Sequence, residues 1–203
     1  LSFDGTNATN NTLIGKDAGT AITTGDQNVA VGSYALDANT TASYNTAVGH
    51  NAAAANITGS QNTALGYWTL VANTSGSNNV ALGAQALAAN TTANNNVAVG
   101  MQSLLVNTTG IQNTAVGTNT LDANTTAHNN TAIGYSALTA NVTGTQNTSV
   151  GSFSLWANTA DYNTAVGYNS LGNNTSGSNN TAVGTSALVA NTTGTQNTAV
   201  GAI

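Results

Sequence analysis

Side chains able to do acid–base chemistry or hold a hard metal are scarce in this 203-residue chain. The carboxylates are Asp4, Asp17, Asp26, Asp37, Asp122 and Asp161, the imidazoles are His50 and His128, and Lys16 is the one cation; Glu, Arg and Cys are absent. General acid–base catalysis needs two such groups converging on one reacting atom, and glycoside hydrolysis needs a carboxyl pair. Counted from the start of each unit of the repeat described below, only Asp37 and Asp122 share a place, and they lie five repeats apart, roughly 24 Å at the usual strand spacing. His50 and His128 fall at different repeat positions and read as surface residues. Without cysteine neither disulfides nor thiolate metal sites can form. No Walker loop, dinucleotide-binding loop or Gly-Gly-x-Gly-x-Asp calcium repeat is written anywhere in the sequence. The expected catalytic, cofactor and metal sets are therefore empty, and the chain reads as non-enzymatic. Recognition chemistry is left to Tyr67, Trp68, Tyr135, Phe153, Trp156 and Tyr168, a sparse aromatic strip suited to carbohydrate or partner contact.

What must position these residues is a repeat. The pentapeptide Asn-Thr/Val-Ala-Val/Ile/Leu-Gly starts at Asn11, Asn28, Asn45, Asn62, Asn79, Asn96, Asn113, Asn130, Asn147, Asn163, Asn180 and Asn197. The interval is 17 throughout, except between Asn147 and Asn163, where it is 16 because one residue is missing near Ala160–Tyr162. The full unit is NTAVGxxALxANTTGxQ, numbered here as positions 1 to 17. Helical repeats need about 33 residues or more and leucine-rich repeats at least about 20, whereas 17 suits one coil of a β-solenoid. The expectation is an all-β, parallel β-solenoid (β-roll or β-helix) of about 12 coils in one domain, 1–203. β-Branched residues at positions 2 and 13 favour strands. Gly at position 5, in all twelve copies from Gly15 to Gly201, marks a corner that needs positive φ or close backbone approach. By alternation, positions 2 and 4 are expected to face inward, with the position 9 leucines on the opposite wall. Positions 6, 7, 10 and 16, which vary widely, are expected to face solvent.

Charged residues make up 3% of the chain, against roughly 25% in ordinary domains. A net charge of −5 with one cation argues against binding nucleic acid, which needs clustered Lys and Arg. Apolar residues are 40% of the total, enough to predict folding rather than disorder. No apolar run approaches the length a spanning helix needs, so membrane insertion by a helix is not expected. The chain begins at Leu1 rather than Met, which reads as a processed or excerpted segment.

Repeated residues become columns in a stack. Position 12 is Asn39, Asn56, Asn73, Asn90, Asn107, Asn124, Asn141, Asn158, Asn174 and Asn191. Most lie in Asn-x-Thr/Ser sequons. Glycans at every coil of one column would collide at ~4.7 Å spacing, so a structural amide ladder is the favoured reading. Glycosylation is kept for isolated sites, Asn7 and Asn10. Position 1 is expected to form a second Asn ladder. Position 14, Thr or Ser from Thr24 to Thr193, is expected to face out, and with the Asn column it would make an ice-binding array. Position 3 is Ala30, Ala47, Ala64, Ala81, Ala98, Ala115, Ala132, Ala165, Ala182 and Ala199, with Leu13 and Ser149 as exceptions. It is read either as an outward column contacting another chain or as a tight corner.

The phrase Asn-Thr-Ala-Val-Gly followed by an Asn-rich turn resembles the Asn-Ser-Val-Ala-Ile-Gly repeats of YadA-like heads in trimeric autotransporter adhesins. The stretch NTAVGTSALVANTTGTQNTAVG at 180–201 also looks like repeat arrays of bacterial and phage tail-fibre-like proteins. The resemblance covers 11–203 and implies a left-handed β-roll, a trimer, and adhesion to a surface glycan or other host ligand. Adhesin head repeats are about three residues shorter, the difference lying in the ALxANTTG half.

The leading ten residues, 1–10, and the closing seven, 197–203, together have the length of one coil. They are expected to complete a coil between neighbouring subunits stacked head to tail. The reading as a whole is an extracellular or cell-surface protein, or a virion fibre, working as a self-assembling structural filament subunit. The alternative is an adhesin or tail-fibre shaft, and a third reading is an ice-binding protein.

Overall fold

The computed structural model describes residues 8–202, which form a parallel β-solenoid with no helix among them. Twelve three-residue strands, β1 (Thr12–Ile14) to β12 (Thr198–Val200), occupy positions 2–4 of successive units. They pair in chain order as one parallel sheet. Register is maintained throughout: Ala98 lies opposite Ala115, Ala115 opposite Ala132, and Val150 opposite Val166 across the shortened coil. Twelve strands at ~4.7–4.8 Å make a rod roughly 57 Å long.

Inter-coil hydrogen bonding continues beyond the strands. Val97, at position 2, donates its N–H to Asn113 O in the next coil (2.8 Å), and Leu104, at position 9, to Thr120 O (3.0 Å). Gly100, at position 5, and Gln102, at position 7, donate back to Leu82 O (2.7 Å) and Ala84 O (3.0 Å) in the preceding coil. The backbone satisfies its polar groups by stacking, which is why a coil needs neighbours on both sides.

The corners rely on left-handed backbone. Position 5 glycines have φ between 123° and 138°. A Cβ on Gly117 would lie 2.5 Å from Gly134 O, so close approach and positive φ both require glycine here. Positions 7, 9 and 17 also have positive φ, although none is glycine except Gly19. The nine position 9 leucines, Leu36 to Leu188, sit at φ 49–55°, a region costly for a branched side chain and sustained only where packing over-determines it. Each reversal turns the chain while keeping its N–H aimed along the rod.

The interior reverses one expectation. The Ala column points in, not out: Ala30, Ala47, Ala81, Ala98, Ala115, Ala132, Ala165 and Ala182 are 0% exposed and Ala64 is 1%. Ala199, in the last strand, is half-buried. These residues are therefore not a chain–chain contact column. Positions 2 and 4, expected in the core, lie on the outer face and are half-buried or exposed. The reason is width. Leucines at position 9, fully buried from Leu70 to Leu171, fill the interior from the far wall. Only a methyl-sized residue fits opposite them, and close packing leaves no room for a second branched side chain. The exception at Ser149 supports this geometry. Its hydroxyl pairs with Ser154 Oγ across the same coil and donates to Ser154 O at 2.8 Å, satisfying a polar group inside the core.

Candidate functional surfaces

Two asparagine columns run through the interior. The position 12 side chains are buried, apart from half-buried Asn191 at the end. Asn73 Nδ2 donates to Asn56 Oδ1 (2.7 Å) and to Gly76 O (2.9 Å), and Asn107 Nδ2 to Asn90 Oδ1 (3.0 Å) and Gly110 O (3.0 Å). One amide thus closes its own corner and grips the coil before it. The position 1 column works differently. Asn113 accepts with Oδ1 from the backbone N–H of Asn130 in the next coil (3.0 Å) and donates from Nδ2 to Ala127 O (2.8 Å). The sequons on position 12 are therefore part of the amide ladder. Asn10 is exposed, whereas Asn7 lies outside the described residues.

A third column was not anticipated. Seven position 16 side chains accept from the backbone N–H of position 16 one coil earlier. Ser60 Oγ accepts from Ser43 N (3.2 Å), Asn94 Oδ1 from Ser77 N (2.6 Å), and Asp161 Oδ1 from Thr145 N (2.6 Å). His128 belongs here too, its Nδ1 accepting from Ile111 N at 2.9 Å. The sequence carries the signal: position 16 is an acceptor-bearing residue in ten of eleven units, Ile111 being the exception. Such variety of size looks like an unconstrained surface, while the shared chemistry is the constraint.

Asp26, Asp37 and Asp161 are spent on local bonds. Asp26 accepts from Thr9 N (2.6 Å), and Asp37 from Thr20 Oγ1 (2.5 Å). Asp17 faces Lys16 across 3.9 Å of exposed surface. Tyr34 beside the ammonium, and then Asp17, hold the Lys16 pKa above its ordinary value. Asp122 keeps one buried, unpaired carboxylate oxygen. Asp4 lies outside the described residues. No group of three His, Cys, Asp or Glu that could hold a metal ion occurs among the described residues.

Stacking brings the scattered aromatics together at the corner of positions 6 and 7. Tyr34 meets His50 edge-on (6.0 Å between centroids), His50 stacks on Tyr67 (5.7 Å), and Tyr67 on Trp68 (5.6 Å). A second group on the same corner runs Tyr135–Phe153–Tyr168, both contacts T-shaped at 5.4 and 6.1 Å. Tyr67, Trp68, Tyr135 and Tyr168 are each 40–55% exposed. Trp156, at position 10, takes part in neither group. Tyr34 and His50 join a strip in which the aromatic residue types alone did not place them.

The position 14 column is exposed in all ten coils that have it, but its expected partner, the position 12 asparagines, points inward. The flat outward array lies instead on the sheet, at positions 2 and 4. Among the described residues, no helix is long and apolar enough to cross a membrane. Comparisons of the chain with protein-family models, with curated proteins and with solved structures gave no match.

Proposed function

We propose that this chain is a non-enzymatic structural protein, a β-solenoid segment of an extracellular or virion fibre. One observation carries the reading: the interior side chains are committed to holding coil to coil. Two asparagine columns, a leucine column broken only at Gly19 and Ala53, and an alanine column broken only at Leu13 and Ser149 keep one register across twelve strands. Such a stack resists unfolding by sharing its hydrogen bonds between neighbours. The contact of one coil on the next is one that a second copy can repeat, because an unpaired parallel strand edge is a template for further pairing. Head-to-tail contacts of this kind build open filaments. The resemblance to adhesin heads and tail-fibre arrays fits the same role.

Electron microscopy of the purified chain tests it. Unbranched fibres one rod wide, longer than a single chain, are the expected result. Discrete short rods at every concentration would reject end-to-end assembly.

A second reading, an adhesin or tail-fibre shaft contacting a surface glycan, is favoured by the two aromatic groups on one corner. Exposed Tyr and Trp rings are suited to sugar faces and to interface contact. Glycan-array binding that disappears with Trp68→Ala and Tyr168→Ala supports this reading. An array signal unaffected by both substitutions removes it.

A further inference from the structure

The outer face of the sheet, like the exposed position 14 column, carries hydroxyls left over by the fold, and here they stand on paired strands beside a line of aliphatic side chains. Position 2 is Thr in nine strands and Val in three, and position 4 is Val, Ile or Leu in all twelve. None of these 24 outward side chains is charged. The contrast with position 13 is sharp, because that column is also mostly threonine. There the hydroxyls are committed: Thr74, Thr91 and Thr108 donate to the position 13 carbonyl of the next coil at 3.0, 3.2 and 3.0 Å. The position 2 hydroxyls, such as those of Thr114, Thr131 and Thr148, bond to no other protein group and sit half-exposed at the surface.

Geometry turns these free groups into an array. β-Branched side chains are stiff at χ1, and in-register strands hold each in the same orientation as its copy. Equivalent groups repeat at ~4.7–4.8 Å along the rod, and the position 2 and position 4 columns stand ~6.6–6.8 Å apart across it. The face is neutral and regular along the rod, with a hydroxyl line unbroken from Thr114 to Thr198 and a line of aliphatic side chains beside it.

Two occupants fit a neutral face: a second rod and an ordered water lattice. A face about 10 Å by 57 Å gives roughly 570 Å² per partner on strand dimensions. Doubled, about 1,100 Å² falls just below the usual range of stable interfaces, ~1,200–2,000 Å². A dry pairing would also strand the position 2 hydroxyls, at ~1–3 kcal/mol each. A water lattice meets both features, since it accepts and donates at every oxygen and encloses methyl groups in its hollows. The spacing along the hydroxyl line is close to an oxygen repeat in hexagonal ice. We propose that the outer face of the sheet binds crystalline water. The position 2 hydroxyls bond into the lattice and the position 4 methyls seat within it. This goes beyond the fibre reading and does not depend on it.

Ice-affinity partitioning tests the assignment: ice is grown slowly from a solution of the protein, and the fraction incorporated is measured. The wild type is expected to enrich in the ice. The double variant Thr114→Lys/Thr131→Lys is expected to be excluded like a control protein, with its melting curve and circular dichroism unchanged because both positions face out. Thr109→Lys/Thr126→Lys, on the exposed position 14 column, is expected to incorporate as the wild type does. Exclusion of the wild type, or full incorporation of Thr114→Lys/Thr131→Lys, overturns the proposal. So does loss of incorporation in the position 14 variant alone. Sedimentation distinguishes the other occupant: wild-type dimers that Thr114→Lys/Thr131→Lys separates, with neither protein entering ice, would make the face an interface between copies.

Discussion

The coils beginning at Asn113 and Asn147 share one fold although the second is shorter by one position, and what differs between them shows which positions hold the stack. In the first, Asn124 Nδ2 donates to Asn107 Oδ1 (2.7 Å) and to Ala127 O at the far side of its corner (3.3 Å). In the second, Asn158 Nδ2 closes its tighter corner on Ala160 O (2.8 Å) and no longer reaches back. Asn141 Oδ1 is left buried without a partner. The ladder resumes above, where Asn174 donates to Asn158 Oδ1 at 2.7 Å. Asn163 Nδ2 also reaches Asn158 Oδ1, at 3.1 Å. Strand register passes through unchanged, with Thr148 opposite Thr164. The lost residue is therefore position 14, an exposed place in every coil that retains it. Its corner absorbs a change of length, and the cost falls on one amide.

Substitutions can break this contrast. The largest effect is expected where a corner has no slack. Gly117→Ala places a methyl against Gly134 O at φ +134°. It should cost about 1–3 kcal/mol from strain and a similar amount from the clash, read as a lower urea midpoint. Next come the ladder variants. Asn107→Leu strands Asn90 Oδ1 and a donor of Asn124. Asn141→Leu removes an oxygen already orphaned; beyond the corner bond to Gly144 O that both asparagines make in kind, it gives up only a long bond, 3.5 Å, to Asn124 Oδ1. At ~1–3 kcal/mol for each buried group left unpaired, the first should destabilise markedly more than the second. Equal losses would show that the ladder is not the stabilising unit.

Repair should work in the opposite direction. Inserting a threonine between Thr159 and Ala160 restores the full-length coil and should raise stability by about 1–2 kcal/mol, with the denaturant slope unchanged. A loss on insertion would mean that the shorter corner is better packed than the longer one. Smaller still, Thr108→Val removes a bond to Thr125 O and should cost ~1 kcal/mol. Thr114→Val, on the sheet face, should stay within ~0.5 kcal/mol. The smallest effect belongs to Lys16. Its raised pKa means that any contribution is present below the ordinary lysine value of ~10.4 and is lost as pH rises through the folded value. The group is fully exposed, so melting curves of Lys16→Ala and wild type against pH should superimpose.

The period, the parallel stack, the leucine wall and both asparagine columns were legible because repetition states them twelve times. The sheet's inner and outer faces were not. Val99 and Val116 look like core and Ala98 and Ala115 like surface, because burial is ordinarily judged from hydrophobicity. Here β-branched residues serve the strand itself, and the size of Leu104 and Leu121 decides what can stand opposite. Their left-handed backbone was equally hidden, since local preference argues against it and only the stacked neighbours impose it. The acceptor column through Ser43, Asn94 and His128 was present in the sequence as shared chemistry across unlike sizes. The aromatic corner depended on knowing that Tyr67 and His50, one repeat apart in the chain, become neighbours.

Because each coil meets only the coil before and the coil after, in a register repeated across all eleven strand pairs, the gene can grow by copying the segment that encodes one repeat. Every copy adds the same ~4.7–4.8 Å increment without creating a new kind of junction. The molecule is in this sense a ruler: its reach is set by counting repeats, and a tandem duplication or loss would resize it in one step.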